Sequence, residues 1–219
     1  MLAPRVAAAA EAGAPPAFLV LLAGPAVPGS ELLSRQLSGL ARVQGVPPES
    51  AADFDRLVDA GIAALATGGG PAEIESRLAA VAGELAAGRS DAERQTVTAL
   101  ATGLGRILAG FDRPLFRELL AYDPAPVLAR LRLPVLAIYG ERDLNVSAAQ
   151  SAPALEAALA RAGNADASVR TLPELNHLLQ HAPTGNPAEY AQIEETMSEE
   201  VLDLVAEWIM ERFAKPPQR

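Results

Sequence analysis

The sequence predicts an α/β protein: a small parallel sheet of about three strands, flanked by helices and interrupted by a helical cap insertion. Three observations carry this expectation. Two apolar runs, Ala17 to Ala23 and Val135 to Gly140, are short and continuous and are bounded by glycine or proline. Such runs read as strands buried on both faces. Between them, residues 46–130 show helical patterns and no strand. After the second run come a helical stretch and a third strand-like stretch, and strands alternating with helices imply parallel pairing. The chain has 219 residues, 50% of them hydrophobic, enough for one sizeable core with a helical subdomain.

Residues 2–12 are alanine-rich and helical until Gly13, Ala14, Pro15 and Pro16 break the pattern. An early Arg5 followed by the apolar run loosely imitates a secretory signal. Glu11, Pro15 and Pro16 interrupt it, and the run is too short to span a bilayer. The stretch is expected to be a helix followed by the first buried strand. Gly24 and Pro25 end that strand, and Ser30 is a plausible N-cap for a helix to about Val43. Pro47 and Pro48 open the insertion, with helices at roughly 51–67, 72–87, 91–109 and 113–121. Gly68-Gly69-Gly70-Pro71 and Gly88 separate the first three. Ser90 with Glu93 forms a capping box. The glycine run follows no strand and precedes no Lys-Ser/Thr, so it is a linker and not a phosphate loop. Asp123-Pro124-Ala125-Pro126 reads as a turn.

Beyond Pro134 lies the second strand. Ser147 can cap a helix to about Ala162. Ser168 to Leu172 is a shorter third strand, and a loop containing His177 follows. Ser198 opens an amphipathic helix with Val201, Leu204, Val205, Trp208 and Ile209 on one face, and Phe213 extends that face. The Lys215–Arg219 tail is expected to fray. The division is thus an α/β core, residues 1–45 and 131–219, and a helical cap, residues 46–130.

Composition excludes several classes. A net charge of −9 without a basic patch argues against nucleic acid and against anionic membranes as partners. The absence of cysteine removes disulfides, thiolate metal sites and a cysteine nucleophile, and suits a cytoplasmic protein. Only 4% of the residues are aromatic, so the core must be built from small aliphatic side chains.

In open α/β sheets functional groups gather past the carboxyl ends of strands. Asp143 lies three residues beyond the second strand and His177 five beyond the third. An acid and a histidine on adjacent strand-end loops can pair, the acid fixing the tautomer so that the imidazole serves as general base. At these residues the chain resembles a family. Leu133-Pro134-Val135-Leu136-Ala137-Ile138-Tyr139-Gly140-Glu141-Arg142-Asp143-Leu144-Asn145-Val146 resembles the acid loop of α/β-hydrolase-fold serine hydrolases. Leu172-Pro173-Glu174-Leu175-Asn176-His177 resembles their histidine loop. Leu21 to Gly29 resembles the sixth strand and its loop in a bacterial esterase branch related to prolyl oligopeptidases. Thr184-Gly185, Glu189-Tyr190 and Ile193-Glu194-Glu195-Thr196 fit that branch too. The resemblance implies that Asp143 is the triad acid and His177 the base.

The family's Gly-x-Ser-x-Gly nucleophile elbow occurs nowhere in this sequence. The helix that follows the elbow in the family matches Met1 to Arg5, so the expectation is a truncated α/β-hydrolase fold. It would lack the first five strands, the nucleophile and the oxyanion hole. The first strand, Ala17 to Ala23, is then an exposed apolar edge, and a homodimer through that strand is expected.

His177 and His181 are the only histidines, and they are four residues apart. On a helix they would leave one face together. With Asp143 they would make an open two-histidine, one-carboxylate site for zinc, manganese or a similar divalent ion, with Glu174, Asp123 or a partner carboxylate completing the shell. Such an ion would activate water in place of serine. Against this, a lone His-x3-His spacing arises easily by chance. Ser30 and Ser147 are substitute nucleophiles in a serine-type reading, though each is better explained as a helix cap. Three functions therefore stay open. They are a metal-dependent hydrolase of carboxylic or phosphoric esters, a serine-type esterase remnant using Asp143 and His177, and a non-catalytic binding protein or fragment. An acidic surface and an aliphatic cap favour a neutral, apolar small-molecule ester as substrate.

Overall fold

The computed structural model describes residues 2–9 and 16–214. The expected end of the first helix near residue 12 and the expected frayed tail lie outside the described residues. The architecture is α/β, with one three-stranded parallel sheet and flanking helices. The chain divides into two compact units, Met1–Val27 with Pro124–Arg219, and Pro28–Asp123. No helix among the described residues is long and apolar enough to cross a membrane.

The first unit contains α1 (Leu2–Ala9) and β1 (Leu19–Leu22). After the second unit the chain returns to it with α7 (Ala125–Leu128), β2 (Val135–Gly140), α8 (Ala148–Arg161), β3 (Ala167–Leu172) and α9 (Glu199–Phe213). The strand order is β1-β2-β3, with Leu19 beside Val135 and Val135 beside Ala167. Every residue of central β2 is buried, as its unbroken apolar run requires. Leu136 and Ile138 pack with Leu172, Val201 and Trp208, and Phe18 meets Trp208 edge-on at 5.7 Å between ring centroids. Burial of each such aliphatic side chain contributes roughly 1.5–3 kcal/mol. Phe213, expected on the buried face, is 40% exposed but stacks on Phe18 at 4.9 Å. The segment read as a turn at Asp123 to Pro126 opens into the one-turn α7, because Pro124 supplies a first carbonyl for the Val127 and Leu128 N–H groups.

The second unit is helical: α2 (Gly29–Val43), a 3₁₀ turn at Pro48–Ser50, α3 (Ala51–Ala66), α4 (Pro71–Ala86), α5 (Asp91–Ala109) and α6 (Pro114–Ala121). The sequence reading placed α2 with the α/β core. Its apolar stripe of Leu33, Leu37 and Ala41 instead joins Leu57, Leu65, Leu78 and Leu104 in the core of the helical unit. Ser30 is not the cap of α2. Pro28 holds that position, because the helix starts two residues earlier than the serine implied. The Ser90–Glu93 capping box is present in full. Arg89, at the turn before α5, forks onto the largely buried Asp53 of α3, with Nη2 donating to Oδ1 at 3.0 Å.

Candidate active site

The site grows from the carboxyl ends of β2 and β3. The ladder continues past β2, because Glu141 N–H donates to Leu172 O and Arg142 N–H to Leu175 O, each at 2.9 Å. Gly140 is needed at the junction. A Cβ there would drive into the carbonyls of Leu175 and Asn176, so only glycine lets the histidine loop lie this close to the strand end. Farther along, Gly185 has φ +78°, and a Cβ on it would meet the Arg142 carbonyl.

Asp143 follows β2 by three residues and its side chain is wholly buried. Oδ1 accepts the N–H groups of Asn145 and Val146, both at 2.8 Å, which is the geometry of an Asx turn. Oδ2 is left to face Nδ1 of His177 at 2.9 Å. The acid is therefore oriented by the backbone of its own loop before it meets the ring.

His177 is presented by a loop and not by a helix. Leu175 and His181 form an isolated antiparallel bridge, which closes residues 176–180 into a tight turn. Leu175 and Leu179 are anchors, 0% and 1% exposed, packed into the same core as β2 and α9. Asn176, fully buried, ties the turn together. Its Oδ1 accepts the N–H groups of Leu178 at 2.9 Å and Gln180 at 3.1 Å, while its Nδ2 donates to Gln180 Oε1 at 3.0 Å. Gln180 Nε2 donates in turn to Glu195 O at 2.7 Å. Tyr190 spans the two loops. Its hydroxyl oxygen accepts from Asn145 Nδ2 at 3.3 Å and from the His177 backbone N–H, and burial, with the Asp143 charge, pushes its pKa up. Tyr139 on β2 donates its hydroxyl to Gly24 O at 2.8 Å, and burial pushes its pKa up strongly. That bond fixes the loop after β1 to the central strand.

Three non-glycine residues among those described have positive φ: Ala23 at 49°, Glu174 at 61° and Leu179 at 58°. One ends β1, and two belong to the histidine loop. Left-handed backbone without glycine costs on the order of 1–3 kcal/mol per residue and concentrates at functional sites.

His177 opens onto a cavity of about 460 Å³. Val20 to Pro25, Leu128, Val146, Leu155, Ala3 and Pro4 line the rest of it. His177 is the only ionisable side chain among those described residues. An imidazole that donates Nδ1–H to a carboxylate keeps its lone pair on Nε2, the form of a general base.

The structure joins Asp143 to His177 but does not gather the expected metal set. The premise that His177 and His181 share a helix face fails, because Asn176 folds the segment into a turn. His181 is exposed. Its Nδ1 lies 3.1 Å from both carboxylate oxygens of Glu195, and its backbone N–H donates to Glu195 at 2.6 Å. Glu174 is held by Arg142 at 3.0 Å. Among the described residues no group of three or more His, Asp or Glu side chains is placed to hold a metal ion. Ser147 does stand at the N-cap of α8, although its hydroxyl makes no capping bond. Sequence reasoning missed Asn176 and Gln180, whose spacing of four inside a loop gave no helical signal, and it found no role for Asn145. Compared with known proteins, the chain matches no family model and no curated protein.

Proposed function

We propose that this protein hydrolyses neutral carboxylic esters, with His177 as general base and Asp143 as the carboxylate that orients it. The single observation that carries this reading is the 2.9 Å contact between His177 Nδ1 and a wholly buried Asp143, on the wall of an apolar cavity. The resemblance of both loops to α/β-hydrolase-fold serine hydrolases supports the same class of bond. Nε2 accepts the proton of an attacking water as its oxygen adds to the ester carbonyl. The imidazolium, steadied by Asp143, then returns that proton to the departing alkoxide. Carboxylic esters are favoured over phosphoric esters because no lysine or arginine is among the described cavity-lining residues to receive phosphate charge. A divalent ion held by Asp143, His177 and His181 is disfavoured. The acid's oxygens are already taken by two N–H groups and the His177 ring, and His181 is turned to Glu195.

The test is hydrolysis of short-chain p-nitrophenyl esters by the wild type and by His177→Ala, each with and without EDTA. The expected result is a loss of about 10²–10⁴-fold in kcat/KM on removing the base, and no response to chelator. Retention of activity in His177→Ala overturns the assignment. A fluorophosphonate probe identifies the nucleophile: a covalent adduct by mass spectrometry assigns a serine, and turnover without an adduct fits water.

A further inference from the structure

We propose that Tyr190 is a positioning residue, whose hydroxyl oxygen ties the backbone of His177 to the acid loop and so holds the imidazole against Asp143. The role deepens the proposed hydrolysis and rests on His177 as its base. In the turn of residues 176–180, the turn itself satisfies the backbone N–H groups of every residue but one. Asn176 N–H donates to Gln180 O at 2.9 Å and Leu179 N–H to Asn176 O at 3.0 Å, while Asn176 Oδ1 takes those of Leu178 and Gln180. The exception is His177, whose N–H leaves the turn for the Tyr190 hydroxyl oxygen. That oxygen also accepts from Asn145 Nδ2 at 3.3 Å, and the Asn145 backbone N–H is one of the two that orient Asp143. One atom thus bonds both the residue that carries the base and a residue that aims the acid.

The bonds from Glu141 to Leu172 and from Arg142 to Leu175 join the two loops before their functional residues. A single Nδ1 contact to Asp143 fixes a distance but leaves the ring free to swing about it. A second tie, on the backbone of His177, fixes where the ring starts, as a base held to its productive geometry requires. Tyr190 is itself rigidly supported. It lies in a 3₁₀ turn, Pro187–Gln192, capped by Asn186, whose Oδ1 accepts the Ala188 N–H at 3.0 Å. Glu189 folds the preceding chain beneath it. Its carboxylate accepts the Thr184 hydroxyl at 2.6 Å and the Thr184 and Gly185 N–H groups at 3.3 and 3.2 Å. Gly185 lies so near the Arg142 carbonyl that no Cβ fits, which seats this support on the acid loop. Tyr190 is not among the described residues that line the His177 cavity, so it acts through the histidine and not on substrate. Burial, then the Asp143 charge, pushes its pKa up. The neutral hydroxyl orients the pair without adding a second negative charge beside the carboxylate.

The test reads the tautomer of the His177 ring in the full chain, by long-range proton–nitrogen correlation NMR at a pH where the ring is neutral. His181→Ala identifies the signals of the only other histidine. The wild type is expected to carry its proton on Nδ1, facing Asp143. In Tyr190→Phe the proton should be shared between Nδ1 and Nε2. For a p-nitrophenyl ester, kcat of that variant should fall about 10–100-fold with KM within about twofold, the split expected when the base is misplaced and substrate binding is not. A wild-type ring protonated on Nε2 overturns the proposal. So does a Tyr190→Phe ring that keeps Nδ1–H as fully as the wild type, whatever its urea midpoint, and so does a mixed tautomer with unchanged kcat. Should Tyr190→Phe fail to fold, Asn145→Ala decides in its place, because it frees the hydroxyl from the acid loop alone. A mixed tautomer there supports the tie, and an unchanged one overturns it. A wild type without esterase activity overturns the proposed hydrolysis, and the tautomer comparison then still decides the tie.

Discussion

The two units divide the labour of the sequence differently. The helical unit places its apolar residues at helical periods, closes its termini with proline and a capping box, and pairs the largely buried Asp53 with the half-exposed Arg89. Positive φ occurs in it only at glycines, Gly45, Gly68 and Gly88, which adopt it without strain. The α/β unit holds every described non-glycine residue with positive φ, a wholly buried carboxylate and a fully buried asparagine. One unit satisfies local rules almost throughout, while the other departs from them where β1 and β3 end. Local consistency marks stability, and the departures mark the site.

The sharpest way to break that comparison is Asp143→Ala. It leaves the buried Val146 N–H and the part-buried Asn145 N–H and His177 Nδ1 without their acceptor. A buried orphaned donor costs about 1–3 kcal/mol, and the part-buried ones less. Ester hydrolysis should fall by about 10²–10⁴-fold, since a freely turning imidazole loses its tautomer as well as its partner. Steady-state kinetics with parallel urea unfolding separates the two effects. Unchanged kinetics would remove the acid's role.

Next in size is Leu78→Ala in the helical unit, where Leu78 is 1% exposed within the core formed by α2 to α6. The expected loss is about 2–5 kcal/mol of stability, read from the denaturant midpoint, with kcat/KM per folded molecule unchanged. A parallel fall in kcat/KM would make the helical unit part of the active site and not only a stable neighbour.

Gly140→Ala should cost about 1–3 kcal/mol, because the methyl group must displace backbone and not a flexible side chain. Its effect on kcat/KM should exceed its effect on stability, since the group displaced is the loop that carries His177. Equal effects would mean that the loop relaxes without moving the ring.

How much of this was legible follows from the range of the signals. α3 to α6 were readable to within a residue or two because periodicity, Pro71, Pro114 and the Ser90–Glu93 box are local. β2 was readable because a strand buried on both faces is uniformly apolar. The pairing of Asp143 with His177 was readable from the distance of each past a strand end. The histidine loop was not. Its shape depends on Asn176 and Gln180 bonding one another and on Leu175 and Leu179 reaching the core between β2 and α9, contacts that no spacing announces. A His-x3-His pattern describes a helix, and here two anchors of the same loop made a turn of it. The placement of α2 failed for a related reason. An amphipathic stripe states that a face is buried but not against which unit.

The smallest expected effect separates the two histidines of that turn. The Glu195 carboxyl is held below its usual range, first by the His181 backbone N–H and then by the His181 side chain. A depressed carboxylate stabilises the fold above its unfolded pKa, and that contribution disappears as pH falls through the folded value. Glu195→Gln should therefore lower the urea midpoint at neutral pH, and the gap from the wild type should close in acid below the ordinary carboxylate range. His181→Ala leaves the backbone N–H in place, so it should shift the midpoint less than Glu195→Gln does and should leave ester hydrolysis within about threefold of the wild type, as expected for an exposed pair. A large loss of activity in His181→Ala, with added zinc or manganese reviving the EDTA-treated wild type but not the variant, would return His181 to the catalytic centre and overturn the division between the two rings.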